Sequence, residues 1–242
     1  MTWLLRKQLI GAACAGLFVV RLAGAQTVDE IVARNLQAKG GADVLRAVTG
    51  LRMTGTMVAS GDTVPLTIVM KRPNLLRQEM TVQGDRLIQA FDGERAWTVN
   101  PLIGARQPRV VGGPQAQAFK DQADFDGPLL NYKDRGIEIV LEGQETYEGR
   151  PVHRLRVTRK IGPAQRIDVD VDTGLEVRSV MELDRDGNKL VVENLMSDYR
   201  TVAGIQFPHR LRTLVNGQPQ TELRIKTIEV SPPIDDELFR RP

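Results

Sequence analysis

Apolar and polar side chains alternate with period two along most of the chain from Leu51 to Val230. Successive side chains of a β-strand point to opposite faces, so this alternation predicts strands that each have one apolar face. Short turn sequences separate the strands, and glycine follows a small or polar residue in many of them. Such turns are Ser60-Gly61, Gln83-Gly84, Asp92-Gly93, Asp186-Gly187, Ala203-Gly204 and Asn216-Gly217. The pattern predicts an antiparallel meander of about eleven to twelve strands.

Two helices are predicted before the first strand. Thr27 and Glu30 stand at the spacing of a capping box, and apolar residues follow at helical spacing until Gly40. A second, shorter amphipathic segment covers residues 42–48. Because a helix with one apolar side buries that side against another apolar surface, we expect both helices to cover part of the sheet.

The alternation stops between residues 102 and 136. We expect a loop as far as Gly113, a helix that begins at Pro114 and reaches about Phe125, and a second loop after it. Long excursions from a regular sheet often serve as lids or binding loops. We therefore interpret residues 102–136 as a helical lid or loop insertion between the two halves of the sheet.

The number of strands also predicts the shape of the sheet. A twisted sheet of this size curls, so we expect a mainly β fold with α-helices, in which two or three helices cover a large curved antiparallel sheet, or half-open barrel. Aromatic residues make up only 5% of the chain, so side chains alone fill a wide interior poorly. Either the covering helices or a hydrophobic ligand therefore fills the apolar interior. Its predicted lining is Met53, Met57, Leu66, Ile68, Met70, Met80, Val82, Trp97, Phe119, Phe125 and Leu130.

The methionines fit either a packed core or a binding surface. All six that follow the initiator fall in predicted strands. The methionine side chain is flexible and polarizable, and adaptable binding surfaces use it heavily. Ordinary core packing explains the same pattern, and the periodicity of the sequence does not separate the two interpretations.

The first 25 residues have the pattern of a secretory signal peptide. A basic pair, an apolar run from Leu9 to Val20 and the small-residue sequence Ala23-Gly24-Ala25 follow one another. The apolar run is too short to span a bilayer as a helix. The predicted organisation is a cleaved signal peptide over residues 1–25 and a single domain over residues 26–242.

Removal of the signal peptide changes the expected charge. The full chain has 33 basic and 30 acidic residues, and Arg6, Lys7 and Arg21 lie among the first 25 residues, which contain no acid. The remaining chain has equal numbers of the two, so we expect no nucleic-acid partner. The only cysteine, Cys14, lies in the same segment, and we expect no disulfide bond.

The sequence lacks a catalytic motif. The two histidines, His153 and His209, occupy the apolar parity of separate strands, which favours hydrogen-bonded core residues over catalytic ones. Acidic residues after Asp168 and after Glu182 match the spacing of a calcium loop only in part, and their flanks read as strands. The sequence contains neither the nucleophile motif G-x-S-x-G nor a glycine-rich phosphate loop. We therefore expect no enzymatic activity, no cofactor and no metal.

Several segments together resemble a known family. Phe91 to Pro101, Phe125 to Tyr132, Gly143 to Val157, Gly204 to Pro208 and Ile234 to Phe239 are similar, in order and spacing, to LolA-like proteins. These proteins are the bacterial outer-membrane lipoprotein-sorting group. The resemblance extends over nearly all of the chain after the signal peptide.

The resemblance implies an antiparallel half-barrel with helices as a lid, a periplasmic location in a Gram-negative bacterium and an apolar cavity for acyl chains. We accordingly expect a monomeric periplasmic carrier that holds lipids or lipoprotein acyl chains for transport toward the outer membrane. Its expected partners are the lipoprotein machinery of the inner or outer membrane. The alternative is a periplasmic sensor or scaffold of the same fold that binds a protein partner. The resemblance also implies an arginine that contacts the lid, for which Arg77, Arg86 and Arg95 are candidates.

Overall fold

Thirteen strands form one antiparallel sheet in the computed structural model, which describes residues 26–185 and 187–241. The predicted signal peptide lies outside the described residues. The strands are β1 (Gly50–Ala59), β2 (Asp62–Lys71), β3 (Leu75–Val82), β4 (Asp85–Phe91), β5 (Ala96–Asn100), β6 (Ala105–Val111), β7 (Glu138–Tyr147), β8 (Arg150–Thr158), β9 (Gln165–Asp170), β10 (Glu176–Arg185), β11 (Asn188–Val202), β12 (Ile205–Val215) and β13 (Gln218–Val230). The predicted mainly β fold is confirmed, and β6 is the strand that the sequence pattern missed.

The strands follow the spatial order β6-β5-β4-β3-β2-β1-β13-β12-β11-β10-β9-β8-β7. The order begins at β6 and ends at β7, so the sheet is open and is not a closed barrel. β1 and β13 join its two halves. At their bulge beside Gly55, a Cβ on this glycine would lie only 2.0 Å from the carbonyl oxygen of Arg224.

The described residues contain three α-helices: α1 (Val28–Ala38), α2 (Ala42–Ala47) and α3 (Gly113–Gln122). The predicted capping box at the start of α1 is confirmed. Thr27 Oγ1 accepts a hydrogen bond from the backbone N–H of Glu30 at 3.3 Å, and the Glu30 carboxylate accepts one from the backbone N–H of Thr27 at 2.8 Å. None of the described helices has both the length and the apolar character that crossing a membrane requires.

The prediction of a loop over residues 102–113 is wrong. Pro101–Ile103 form a short 3₁₀ turn, and Ala105–Val111 then pair with β5 as β6. This strand lies at the edge of the sheet and exposes four of its seven residues, so it shows no clean alternation of apolar and polar positions. α3 and a turn-rich stretch follow it. We call that stretch, residues 123–136, the crossover segment.

One row of directly paired residues crosses the sheet from β7 to β1. It consists of Leu141, Leu155, Ile167, Ser179, Asn194, Thr213, Thr221 and Ala59. Residues paired across neighbouring strands point to the same side of a sheet. α1 packs against Leu155 and Ile167, and the apolar cluster beneath α3 includes Met57 and Leu223, which share the parity of Ala59 and Thr221. Both helices therefore cover the same side of the sheet, which we call the inner face.

The opposite, outer face is held together by ion pairs. The buried carboxylate of Asp168 lies 2.9 Å from Arg154 Nε and 3.6 Å from Arg178 Nη1. Asp170 Oδ1 accepts hydrogen bonds from the backbone N–H groups of Asp172 and Thr173, so it shapes the turn after β9. No cluster of His, Cys, Asp and Glu with metal-binding geometry occurs within residues 26–185 and 187–241.

Candidate functional site

Seven of the eleven residues predicted to line a cavity belong to one apolar cluster on the inner face. Leu66, Ile68, Met80 and Phe119 are buried in it. Met53, Met57 and Met70 are half-buried beside it. Because Phe119 of α3 occupies the middle of this cluster, the residues nearest α3 form packed core, and the less covered methionines lie at its margin.

Three other predicted residues occupy separate places. Val82 is half-buried at the end of β3. Phe125 and Leu130 both belong to the crossover segment, where Leu130 is buried and the ring of Phe125 lies under the guanidinium of Arg72 at 4.7 Å.

Trp97 does not line the inner face. Its neighbour Ala96 belongs to the inner-face cluster, so alternation along β5 directs Trp97 to the outer face. There it packs with Ile88 and Ala90, and its indole Nε1–H donates a 2.8 Å hydrogen bond to the carbonyl oxygen of Phe239. A buried indole needs such an acceptor, and the C-terminal segment supplies it.

The second cluster on the inner face lies at the other end of the sheet. Ile31 and Val32 of α1 pack against β7, β8 and β9, together with Leu129 of the crossover segment. The members of this cluster are almost fully buried, so α1 closes this end of the inner face as α3 closes the opposite one.

An apolar strip lies between the two clusters, on β10, β11 and β12. Its seven side chains point to the inner face, and each is half-buried. None of them belongs to either of the helix-covered clusters. We call this set the central strip: Met181, Leu183, Leu190, Val192, Met196, Leu211 and Val215. It is continuous with Met57 and Leu223, because Met196 pairs with Leu211, Leu211 with Leu223, and Leu223 with Met57.

Uncharged polar side chains cross the middle of the central strip. Ser179, Asn194 and Thr213 are consecutive partners on β10, β11 and β12, and Thr221 follows on β13. Thr213 Oγ1 donates a 2.9 Å hydrogen bond to Asn194 Oδ1. This row provides hydrogen-bonding groups without charge in an otherwise apolar surface.

None of the seven residues of the central strip is among the residues that the sequence predicted to line the interior. The alternation of Leu190, Val192, Asn194 and Met196 is visible in the sequence, and so is that of Leu211, Thr213 and Val215. What the sequence does not show is which alternating strands the helices leave uncovered, because that depends on where α1 and α3 pack.

Arg72 contacts the crossover segment, as do Arg46, which donates a 2.9 Å hydrogen bond to Asn131 Oδ1, and Arg159, which lies 3.6 Å from Asp124. Arg72 is the most shielded contact between this segment and the β2–β3 turn. Its Nε and Nη2 donate hydrogen bonds to the carbonyl oxygens of Val48 and Leu45 at 2.6 and 2.9 Å, and its Nη1 lies 2.5 Å from Asp126 Oδ1. One side chain thus connects the β2–β3 turn, the end of α2 and the crossover segment.

The three arginines considered from the sequence do not make the contacts of Arg72. Arg77 donates hydrogen bonds to the carbonyl oxygen of Leu238 and to Glu79, and Arg86 binds the same glutamate. Arg95 lines a charged surface pocket together with Arg240. No sequence pattern marks Arg72, because its contacts depend on how α2 and the crossover segment pack beside the β2–β3 turn.

A second polar contact holds the crossover segment to α1. The carboxylate of Asp29 accepts hydrogen bonds from Lys133 Nζ, at 2.6 Å, and from the hydroxyl of Tyr132. Both bonds lower the pKa of Asp29, and the bond from Lys133 has the larger effect. Because Asp29 and Lys133 are exposed, we regard this contact as weaker than the one made by Arg72.

Both histidines are buried in strands, as their apolar parity predicts. His209 Nδ1 lies 3.0 Å from the carbonyl oxygen of Phe207, which confirms a hydrogen-bonded core histidine. His153 differs, because its Nε2 has no hydrogen-bond partner among the described residues. Burial lowers the pKa of His153, and the positive charge of Arg34 lowers it further, which favours the neutral imidazole beneath α1.

Comparison with protein-family models found no match, and comparison with curated protein sequences found none either. Solved structures do match. A LolA superfamily protein from Nitrosomonas europaea is 13% identical with a TM-score of 0.60, covering 89% of this chain and 98% of its own. An outer membrane lipoprotein-sorting protein domain from Vibrio parahaemolyticus is 12% identical with a TM-score of 0.58. The match covers 87% of this chain and 94% of the Vibrio domain.

A DUF1329 family protein from Desulfovibrio piger is 14% identical with a TM-score of 0.61, covering 88% of this chain and 97% of its own. The likeness to each of the three structures covers 87–89% of this chain. At this level of identity the comparison concerns the fold, and it agrees with the family resemblance of the sequence motifs. The chain has the LolA-like fold.

Proposed function

We propose that this protein is a periplasmic carrier or binding protein for the acyl chains of lipids or lipoproteins. The observation that carries the proposal is the central strip, a continuous half-buried apolar surface between two helix-covered clusters. Apolar side chains that share one face of a sheet and remain partly open provide a surface on which a flexible hydrocarbon chain loses contact with water.

The expected affinity follows from the length of chain that is buried. Each CH₂ group removed from water contributes about 0.8 kcal/mol, so a segment of about ten groups gives a useful gross binding energy before the cost of ordering it. Methionines within and beside the strip, Met57, Met181 and Met196, allow the surface to adapt to chains of different shape.

The polar row suggests which part of the ligand lies beside it. Asn194 and Thr213 offer hydrogen bonds but no charge, which suits an ester or amide group that links an acyl chain to the rest of a lipid. A charged head group would lack a counter-ion in this row. We therefore place the head group outside the inner face and the acyl chain along the central strip.

The proposed lid is the part of residues 102–136 that follows β6, which consists of α3 and the crossover segment. Its end, the crossover segment, connects α3 with β7 and contributes Leu129 and Leu130 to the buried interior. Polar contacts through Arg72 and Asp29 hold it, and such contacts exchange with water at modest cost. Opening of this segment would widen access to the central strip.

The proposed location and transport direction come from the sequence. The signal-peptide pattern supports export to the periplasm, and the LolA-like motifs support delivery of lipid or lipoprotein toward the outer membrane. Under this proposal the protein acts as a monomer without catalysis or cofactor and works with membrane lipoprotein machinery.

Mass spectrometry of the protein purified from its bacterial host tests the proposal. We expect lipids to co-purify, and we expect delipidated protein to bind a fluorescent fatty acid that unlabelled lipid displaces. Protein that carries no lipid and takes up no fluorescent fatty acid would refute the proposal. Retention of one specific protein partner by such lipid-free protein would instead favour a sensor or scaffold.

A further inference from the structure

Three large apolar side chains are strongly exposed on two turns. Leu102 and Ile103 in the β5–β6 turn are 51% and 73% exposed, and Ile161 in the β8–β9 turn is 71% exposed. Leu102 and Ile103 are neighbours, and adjoining exposed apolar side chains mark interaction sites more often than isolated ones do. They lie outside the central strip and both helix-covered clusters, so the proposed acyl-binding site does not account for them.

The two turns lie at the same end of the sheet. Consecutive turns of an antiparallel sheet alternate between its two ends, so every second turn lies at the same end. The turns at residues 60–61, 83–84 and 101–104 therefore share one end of the sheet. The turn at residues 216–217 lies at this end as well, because Ala59, the last residue of β1, pairs with Thr221 near the start of β13. A row of paired residues then connects this turn to residues 159–164, and the row is Val215, Val192, Met181, Gln165 and Val157. We call this end of the sheet the hairpin rim.

The exposed side chains mark the two ends of the hairpin rim. β6 and β7 are the edge strands of the open sheet, the β5–β6 turn belongs to one edge, and the β8–β9 turn lies next to the other. Leu102 and Ile103 therefore stand on one side of the rim and Ile161 on the other. The central strip reaches the same rim between them, through Leu183 and Leu190.

Basic residues accompany both apolar tips. Arg106 follows Ile103 at the start of the edge strand, and Arg159 and Lys160 precede Ile161. Arg106 lies 3.1 Å from Asp85, and Arg159 lies 3.6 Å from Asp124. Lys160 is exposed and forms no ion pair with another described residue, so the tip at Ile161 keeps a positive charge beside its apolar side chain. At the other tip, the exposed guanidinium of Arg106 lies three residues after Ile103.

We propose that the hairpin rim docks on an anionic lipid bilayer, with Leu102, Ile103 and Ile161 inserted at the level of the head groups. Apolar tips flanked by arginine and lysine combine the two attractions that bring a protein to such a surface, burial of apolar side chains and contact with negative head groups. Two tips separated by the width of the open sheet would place the end of the central strip at the membrane surface. An acyl chain would then move between bilayer and strip with little exposure to water.

This docking goes beyond acyl binding and is tested separately from it. The experiment uses sedimentation of vesicles made of phosphatidylglycerol and phosphatidylethanolamine, with phosphatidylcholine vesicles as the uncharged comparison. The test protein carries Ile103→Ser and Ile161→Ser. The matched control is Val44→Ser, because Val44 is an exposed apolar residue, 44% accessible, on α2 at the opposite end of the sheet.

We expect the anionic vesicles to bind the natural protein and the Val44→Ser variant equally, and to bind the double variant at least about tenfold more weakly, since each buried isoleucine contributes strongly. Added salt should weaken binding of the natural protein. Fluorescent fatty acid uptake in the absence of vesicles should be the same for all three proteins, which separates docking from acyl binding. Equal sedimentation of the double variant and the natural protein would overturn the proposal, as would equal binding to anionic and uncharged vesicles.

Discussion

Arg72 Nη1 lies 2.5 Å from Asp126 Oδ1, and both side chains are largely shielded from water. The same guanidinium donates hydrogen bonds to the carbonyl oxygens that end α2 and stacks over Phe125. This ion pair therefore joins a turn of the sheet, the second helix and the crossover segment at one point. Four separate interactions depend on one side chain, so its removal affects the crossover segment more than the loss of any single surface pair.

Substitution Arg72→Ala should destabilise the protein by about 1–3 kcal/mol, because it leaves the Asp126 carboxylate without its counter-ion and the carbonyl oxygens of Leu45 and Val48 without their donor. The change should also make residues 123–136 more sensitive to limited proteolysis. Urea denaturation measures the first effect, and mass spectrometry of early fragments measures the second.

Arg86→Ala is the matched control for Arg72→Ala. Arg86 also pairs with a carboxylate, that of Glu79, but its side chain is largely exposed on the outer face. We expect a loss below about 1 kcal/mol and an unchanged proteolysis pattern. A crossover segment equally resistant in both variants would contradict the role given to Arg72.

Met196→Asp should abolish acyl binding without unfolding the protein. Met196 is half-buried in the central strip beside Leu211, so a carboxylate there keeps contact with water while opposing an apolar ligand. We expect a loss of fluorescent fatty acid uptake, measured by titration, together with a near-natural melting temperature.

Met80→Asp provides the contrast for Met196→Asp. Met80 is buried in the cluster beneath α3, where a carboxylate has no partner, so this variant should lose its cooperative thermal transition. Normal uptake by the Met196→Asp variant would exclude the central strip as the binding surface. A folded Met80→Asp variant would show that the cluster beneath α3 is open to water.

The alternation of side chains was sufficient to predict most of the sheet, because most strands have their apolar side chains on one face. It failed at β6, an edge strand in which only Ala105 is buried. It also placed Trp97 on the inner face, since the aromatic side chain alone does not show which parity faces the helices.

The candidate site was harder to predict because it depends on what the helices cover. The methionines near α3 do share one apolar cluster, but Phe119 packs among several of them. The more open surface, from Met181 to Val215, became visible only when the positions of α1 and α3 were known. Arg72 was missed for the same reason, because its contacts join segments far apart in the sequence.

Gly55→Ala should be strongly destabilising. Its Cβ would lie 2.0 Å from the carbonyl oxygen of Arg224, and this contact occurs at the bulge where β1 and β13 join the two halves of the sheet. Backbone displacement is the only relief, so we expect a loss of about 2–4 kcal/mol, measured by urea denaturation. Gly112→Ala is the control, because its Cβ would meet no atom within 4 Å and its φ is −125°. Equal stabilities of the two variants would show that the two strands separate at this point without cost.

Glu222 links stability to pH on the outer face. Hydrogen bonds from Arg210, and then from Arg224, lower the pKa of Glu222 from its ordinary value of 4.5 to about 2. The two arginines are direct partners across β12 and β13, so the carboxylate also separates two like charges. Because the pKa is lower in the folded state, the stabilisation is fully present above pH 4.5 and is lost as the pH falls from 4.5 toward about 2.

Glu222→Gln should therefore reduce the free energy of unfolding at pH 7, and the difference from the natural protein should shrink as the pH is lowered from 5 to 3. Urea denaturation at several pH values measures both quantities. Glu138→Gln is the control, because Glu138 is exposed on β7 and forms no ion pair with another described residue, so this change should have little effect at any pH. A difference between the natural protein and Glu222→Gln that stays constant from pH 7 to pH 3 would mean that the carboxylate acts through packing, since loss of its charge would then change nothing.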